Sequence, residues 1–86
     1  MSSISRFYGI VVSMYSNDHP PPHFHARYGE YEAKIDIATC QVQAGDLPVR
    51  AWRLIREWAD LHRDELWADW ELAQERKELA RIDPLP

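Results

Sequence analysis

Cysteine is scarce in this sequence, and its scarcity excludes several small-protein architectures. Cys40 is the single cysteine in 86 residues, so the chain can form neither an internal disulfide nor a zinc site built from several cysteines. The sequence shows no catalytic base for Cys40, so this cysteine is interpreted as having no role in catalysis. A lone thiol is typical of a reducing compartment, and we expect a cytoplasmic protein.

Long apolar runs and an excess of positive charge are also missing. The longest apolar run, 10–12, is far too short to span a bilayer, and residues 1–6 lack the apolar segment of a signal peptide. Ten Lys and Arg stand against fourteen Asp and Glu, a net charge of −4. Such a chain does not attract nucleic-acid phosphates in general, so nucleic-acid contact is restricted to a local patch of Arg50, Arg53 and Arg56.

Histidine and proline are concentrated in one stretch, the nine residues NDHPPPHFH at 17–25. Three consecutive prolines exclude a helix or a central strand and favour a polyproline II rod. A straight rod rises about 3.1 Å per residue and places His19 roughly 12 Å from His23. His23 and His25, two apart on an extended strand, point to the same face and share a site.

The first half of the chain predicts a sheet within 6–43. Strands are expected over 7–15, 23–28 and 31–37, with a short addition at 41–43, and Gly29-Glu30 predicts a two-residue hairpin turn. Pairing Tyr28 with Tyr31 carries the register to His23 opposite Asp36. This register separates an apolar face from a polar one, which a slip of one residue would mix. The polar face holds His23, His25, Arg27, Glu32, Lys34 and Asp36.

The second half predicts one amphipathic helix at about 47–76, with Asp46 as N-cap and Pro48 in the first turn. Its apolar half includes Leu61 and the stripe position His62. Its other half holds two i,i+4 pairs, Arg53 with Glu57 and Arg56 with Asp60.

Such a helix is about 43 Å long and overhangs the sheet. Trp67 and Trp70 fall in the overhang and are expected at a subunit or partner interface. The main alternative is a break into two helices near 60–62. Residues 79–86 form an extended tail that can add an edge strand.

The predicted fold class is therefore α+β: one domain over 1–86 in which a three-stranded antiparallel sheet, with a fourth C-terminal strand as an extension, packs on one long helix. A chain this short has a marginal core. We expect a homodimer or a complex with a small partner protein.

The histidines suggest two chemistries. Opposite Asp36, His23 has a carboxylate that orients its ring for acid–base catalysis, with His25 as a second donor or ligand. The alternative is a divalent metal site, with His23 and His25 completed by Asp18, His19, Asp36 or His62. Lys34 opposite His25 disfavours a bound cation. A third interpretation is structural, in which the histidines only shape the loop and His62 is a core residue.

The sequence resembles a family of short bacterial proteins, the domain-of-unknown-function family numbered four thousand one hundred and sixty. The resemblance covers nearly the whole chain. It rests on RFYGI at 6–10, NDHPPPHFHA at 17–26, YGE at 28–30, and WA and HRDEL in the helix. It implies a compact bacterial protein encoded beside a second small protein, an arrangement similar to toxin–antitoxin pairs. The family has no established catalytic residues, so the resemblance assigns none.

Three functions remain open at this point. The first is an accessory or toxin-like module that works through the surface of His23, His25 and Asp36, with Asp18 and His19 at its rim. The second is a non-enzymatic, antitoxin-like protein that binds its partner through the Trp-bearing helix. The third is a metal sensor.

Overall fold

The computed structural model describes residues 2–86. One antiparallel sheet holds the first five elements in chain order: β1 (Ser2–Phe7), β2 (Ile10–Met14), β3 (His23–Tyr28), β4 (Tyr31–Asp36) and β5 (Val42–Gly45). Two helices follow: α1 (Val49–Leu61) and α2 (Arg63–Gln74). The α+β class is confirmed, but the sheet has five strands rather than three or four, and two helices replace one. Neither helix has the length and apolar character needed to cross a bilayer.

The strand predicted over 7–15 is divided between β1 and β2. Tyr8 and Gly9, with φ of 48° and 82°, form a two-residue turn between Phe7 and Ile10. Positive φ at both central positions is the turn type that suits the twist of a hairpin. The sequence does not indicate this turn, because tyrosine is a strand-forming residue. Most of β1 was not predicted either, because it contains three serines beside its buried Ile4 and Phe7.

The hairpin of β3 and β4 has the predicted register, from His23 opposite Asp36 to Tyr28 opposite Tyr31. Gly29 adopts a φ of 59° in the turn, which its missing Cβ permits. The apolar face packs on the helices, and the ring of Phe24 lies 6.0 Å from that of Trp58. β5 begins one residue later than the predicted 41–43 and forms one edge of the sheet.

The helical region breaks at His62, as the alternative proposed, so the overhang does not exist. A straight helix of about 43 Å would exceed the longest dimension of the chain, 33 Å. The break instead returns α2 to the sheet, where it contacts β2 and the loop that follows it. The predicted N-cap is wrong, since Pro48 occupies that position and no side chain caps α1; Asp46 accepts the backbone N–H of Leu47 instead.

The segment 77–86 lies along β1 without forming the additional strand. Ile82 donates its backbone N–H to Ile4 (2.8 Å) and is buried, as is Leu85. Two side chains fix the segment further: the indole Nε1 of Trp58 donates to the Asp83 carbonyl (2.8 Å), and the Tyr8 hydroxyl donates to the Pro86 carbonyl (2.6 Å). The segment therefore covers the β1 edge and closes the core.

Candidate metal centre

The loop between β2 and β3 presents Asp18 to the start of β3. Asn17 adopts a φ of 53°, a left-handed conformation that asparagine tolerates, and donates its backbone N–H to the Ala73 carbonyl (2.9 Å). Gln74 Nε2 donates to the Asp18 carbonyl (3.1 Å). The last turn of α2 thus holds the backbone that carries Asp18.

Asp18, His23 and His25 converge on one point. Asp18 Oδ2 lies 2.8 Å from His23 Nε2 and 3.4 Å from His25 Nε2. One ligand atom from each of the three side chains lies within 4.8 Å of the other two. The two imidazoles share a side of β3, with ring centroids 5.1 Å apart, as their i,i+2 spacing predicts.

The backbone fixes the orientation of the His23 ring. Its Nδ1 lies 2.7 Å from the Pro21 carbonyl oxygen. A carbonyl only accepts, so Nδ1 carries the proton and Nε2 faces Asp18. The ring is 2% exposed and packs 5.2 Å from the indole of Trp70. The straight rod predicted for the prolines is wrong, because the chain bends at Pro20 and Pro21.

The electrostatics of the cluster favour an ionised Asp18 and a neutral His25. Burial alone would raise the pKa of Asp18, but hydrogen bonds from the backbone of His19 and from His23 and His25 outweigh it and hold that pKa below its ordinary value. Burial lowers the pKa of His25, against the opposing hydrogen bond of Asp18. Both groups therefore have the protonation state that a metal ligand needs at neutral pH.

Solvent reaches the cluster from the side of Asp18 and His25, whose side chains are 25% and 18% exposed. The ring of Tyr15 meets His25 edge-on at 4.4 Å. Beside it lies a cleft of about 320 Å³, bordered by Tyr15, His25, Glu32 and Lys34 and floored by small residues of β4 and β5. His25 therefore borders a cleft that is open to solvent.

Asp36 does not serve the site as predicted. Its register opposite His23 is correct, but its carboxylate accepts the Thr39 backbone N–H and the Gln43 side-chain amide, each at 2.9 Å. The carboxylate therefore organises the turn after β4 and leaves His23 to Asp18. The interpretation of Asp36 as the partner that orients His23 is wrong.

The other histidines lie outside the cluster. His19 contributes only its backbone N–H, donated to Asp18 Oδ1 at 2.8 Å, and is not among the ligand atoms that converge. His62, at the break between the helices, bonds Glu65 through Nδ1 (2.6 Å) and packs against Trp58. Its role is local to the helix junction.

The two tryptophans predicted at an interface lie against their own chain. Trp70 is 8% exposed and contacts His23, and Trp67 is partly buried against the core. Trp70 therefore forms one wall of the candidate site. Because its side chain is buried within its own chain, it is not accessible to a partner protein.

Sequence reasoning placed Asp18 at the rim, although it is the centre of the cluster, and missed Tyr15 and Gln74. Asn17-Asp18 is a turn-forming pair, so the sequence could have predicted the chain reversal that brings Asp18 back to β3. Gln74 contacts Asp18, which lies 56 positions away in the sequence, and no local sequence pattern predicts such a contact.

Most of the chain matches a known protein-family model. The family model described as a domain of unknown function, DUF4160, matches residues 9–71, which include the whole cluster. No curated protein and no solved structure matches the chain.

Proposed function

The chain belongs to the DUF4160 family, and we propose that Asp18, His23 and His25 form a divalent transition-metal site. The convergence of three ligand atoms within 4.8 Å carries this proposal. Two imidazole nitrogens and one carboxylate oxygen form a donor set typical of zinc and non-haem iron.

The spacing of the ligand atoms supports the assignment. Two ligands that each lie about 2.1 Å from a tetrahedral ion are roughly 3.4 Å apart. The distance from Asp18 Oδ2 to His25 Nε2 is 3.4 Å, and that to His23 Nε2 is 2.8 Å. A small outward movement of Asp18, which is partly exposed, makes room for an ion.

Three protein ligands are typical of a catalytic or ligand-binding site, since structural zinc takes four. A metal in such a site supplies Lewis acidity and a bound water with a lowered pKa. His23, buried and held by the Pro21 carbonyl, is the rigid ligand. Asp18 and His25 border solvent, so further ligands approach from their side.

Metal analysis of the untagged protein tests the proposal. We expect about one equivalent of Zn²⁺, Fe²⁺ or a similar ion, and a Zn²⁺ affinity at least 100-fold weaker in Asp18→Asn, which loses the charged ligand. His62→Ala is the matched control, because His62 also neighbours a carboxylate but has no third ligand. Equal Zn²⁺ affinity in wild type and Asp18→Asn would refute the site.

A second candidate is metal-free acid–base catalysis by the same residues. It is favoured by His25, which is partly exposed, borders the cleft and has a pKa lowered by burial, so that it is a neutral base near pH 7. The two candidates differ in their response to chelators. Activity that survives removal of every metal but is lost in His25→Gln supports the second.

In the cell, either chemistry suits an accessory or toxin-like module of a two-gene system. Growth arrest on expression that disappears in Asp18→Asn and persists in His62→Ala would support this role. The rival, antitoxin-like role in partner binding predicts that Asp18→Asn retains the cellular effect while Trp67→Ala loses it.

A further inference from the structure

The outer face of α1 is exposed to solvent along the helix. Its side chains point away from the core in one stripe and are exposed: Val49, Arg50, Arg53, Arg56, Glu57, Asp60 and Leu61. Val49 and Leu61, at its two ends, are each 63% exposed. Leu61 was predicted on the apolar half of the helix, and its exposure leaves an isolated leucine at the end of α1.

The charges of this stripe are ordered against the helix dipole. The three arginines of the stripe precede its two carboxylates along α1, with no acidic residue in the first turn and no basic residue in the last. The positive N-terminus of a helix favours carboxylates and the negative C-terminus favours cations. The arrangement therefore costs α1 stability by itself, and an oppositely directed neighbouring helix reverses that cost.

The ion pairs predicted within the helix are not formed. Asp60 pairs with Arg63 (2.8 Å), and the guanidinium of Arg56 lies over the ring of Trp52 at 5.4 Å. Among the ion pairs of residues 2–86, none includes Arg50, Arg53 or Glu57. Arginine placed four residues before glutamate is the weaker orientation of such a pair, so these charges are available to another molecule.

An open apolar cleft adjoins the first turn of α1. It measures about 330 Å³ and is lined by Val42, Leu47, Val49 and Trp52, with Gln41 and Asp46 at its edge. Both ends of the stripe thus present apolar surface, as a cleft at the start of α1 and as a projecting leucine at its end.

We propose that α1 is the interface of a homodimer, in which α1 of a second copy packs antiparallel to it across a two-fold axis. This arrangement places Arg53 opposite Glu57 of the partner subunit and Glu57 opposite the partner's Arg53. It also places the partner subunit's Leu61 beside Val49, at the apolar cleft. Two-fold symmetry forms every contact twice, so one self-complementary helix accounts for both ends of the stripe.

A charge exchange within one chain tests this interface. By sedimentation velocity at low salt, we expect wild type to be dimeric. Arg53→Glu places a glutamate opposite Glu57 twice in each dimer, and we expect this variant to dissociate at least tenfold more readily. Combined Arg53→Glu and Glu57→Arg restores complementarity across the axis and the wild-type dissociation constant. Arg81→Glu, an equal charge change on the exposed tail, leaves dimerisation unchanged.

The charge-reversed variant also controls for folding. Arg53→Glu brings the order of charges closer to that favoured by the helix dipole, so its thermal midpoint does not fall below that of wild type diluted until it is monomeric. A wild-type protein that stays monomeric at millimolar concentration overturns the proposal, whether or not its arginines then bind nucleic acid or an acidic peptide. Failure of the double variant to dimerise overturns it as well.

Cross-linking tests the direction of packing. A Val49→Cys chain mixed with a Leu61→Cys chain forms the mixed disulfide faster than either chain cross-links to itself if the helices are antiparallel. Cys40 stays out of the exchange, because it is buried and burial raises the pKa of its thiol to about 11. Faster self-cross-linking of each single variant indicates parallel packing and contradicts the proposed axis.

Discussion

At the scale of single residues, the contact between Asp18 and His23 brings two metal-ligand atoms together. Asp18 Oδ2 and His23 Nε2 lie 2.8 Å apart, and the other ring nitrogen of His23 already donates to the Pro21 carbonyl. In the proposed site, a metal ion and a proton would therefore compete for the space between Oδ2 and Nε2.

We predict that the Zn²⁺ affinity of the protein falls as the pH drops, because protons compete with the metal ion for the ligand atoms of the cluster. Calorimetric titrations at pH 7.5 and pH 5.5 measure the two affinities. In Asp18→Asn the affinity is weak at both pH values, because the charged ligand is missing. A wild-type affinity that is equal at the two pH values would place the metal elsewhere.

His25 makes the stability of the metal-free protein depend on pH. Burial lowers its pKa from the ordinary value of 6.5, so its contribution to stability is complete above pH 6.5 and is lost as the pH falls through the lowered pKa. We predict that the free energy of unfolding declines as the pH drops below 6.5, and less so in His25→Gln. Urea titrations in chelator at pH 7.5 and 5.5 measure the difference, and a variant as pH-dependent as wild type contradicts it.

The same residues show what the sequence can reveal about the site. Spacing alone placed His23 and His25 together, because alternation along a strand is a local property. The cross-strand register favoured Asp36 as the partner of His23 and left Asp18 at the rim of the site. Asp36 is the direct cross-strand neighbour, but its carboxylate is taken by the turn that follows β4, and Asp18 returns through a loop held by α2. That choice depends on tertiary contacts.

At the scale of elements, two glycines offer a matched test of the sheet. A Cβ on Gly45 would lie 2.1 Å from the backbone oxygen of Glu32, whereas one on Gly29 meets nothing within 4 Å. Both have positive φ, so alanine at either position adds strain of about 1 kcal/mol. We predict that Gly45→Ala lowers the free energy of unfolding by about 3 kcal/mol, since overpacking adds to the strain.

Chemical denaturation compares the two variants, and Gly29→Ala is expected to lose only about 1 kcal/mol. Similar losses in both would mean that β5 moves away from β4 at little cost. The comparison thus measures how firmly the edge strand is attached.

Elements were predicted where local signals were strong. The hairpin of β3 and β4 has a glycine turn and two alternating faces, and its register was correct. Most of β1 was not predicted, because its serines weaken the alternation of apolar and polar residues that indicates a strand. No proline or glycine marks the helix break at His62 in the sequence. One straight helix would be longer than the whole molecule, and the break allows α2 to pack on the sheet.

At the scale of the whole molecule, the segment 77–86 connects the far end of the chain to its beginning. Ile82 is buried and bonded to Ile4. We predict that Ile82→Ala lowers the free energy of unfolding by about 3 kcal/mol, as large-to-small changes in a core do. The exposed neighbour is the control, and Arg81→Ala is expected to change stability by less than about 0.5 kcal/mol. Equal effects would show that the segment is not part of the cooperative core.

Asp69 fastens this segment from α2 at an electrostatic cost. Its Oδ1 accepts the Ala80 backbone N–H (2.9 Å), while Oδ2 is buried without a partner. Burial raises the pKa of Asp69 despite the bond from Ala80, so its favourable contribution is complete below pH 3.8 and is lost as the pH rises through the raised pKa. We predict that Asp69→Asn, which keeps the acceptor and removes the charge, raises the thermal midpoint at pH 7 but not at pH 3.5. A lower midpoint at pH 7 would show that the charge is needed.

The contact between Ile4 and Ile82 also has a consequence for synthesis. β1 leaves the ribosome before the other strands and the helices, while the residues that cover its outer side follow all of them. A nascent chain in which β1 has an open edge can pair with a neighbouring chain through its free backbone groups. The outer edge of β1 therefore gains its cover only after residue 82 has emerged from the ribosome, and until then it is open to aggregation.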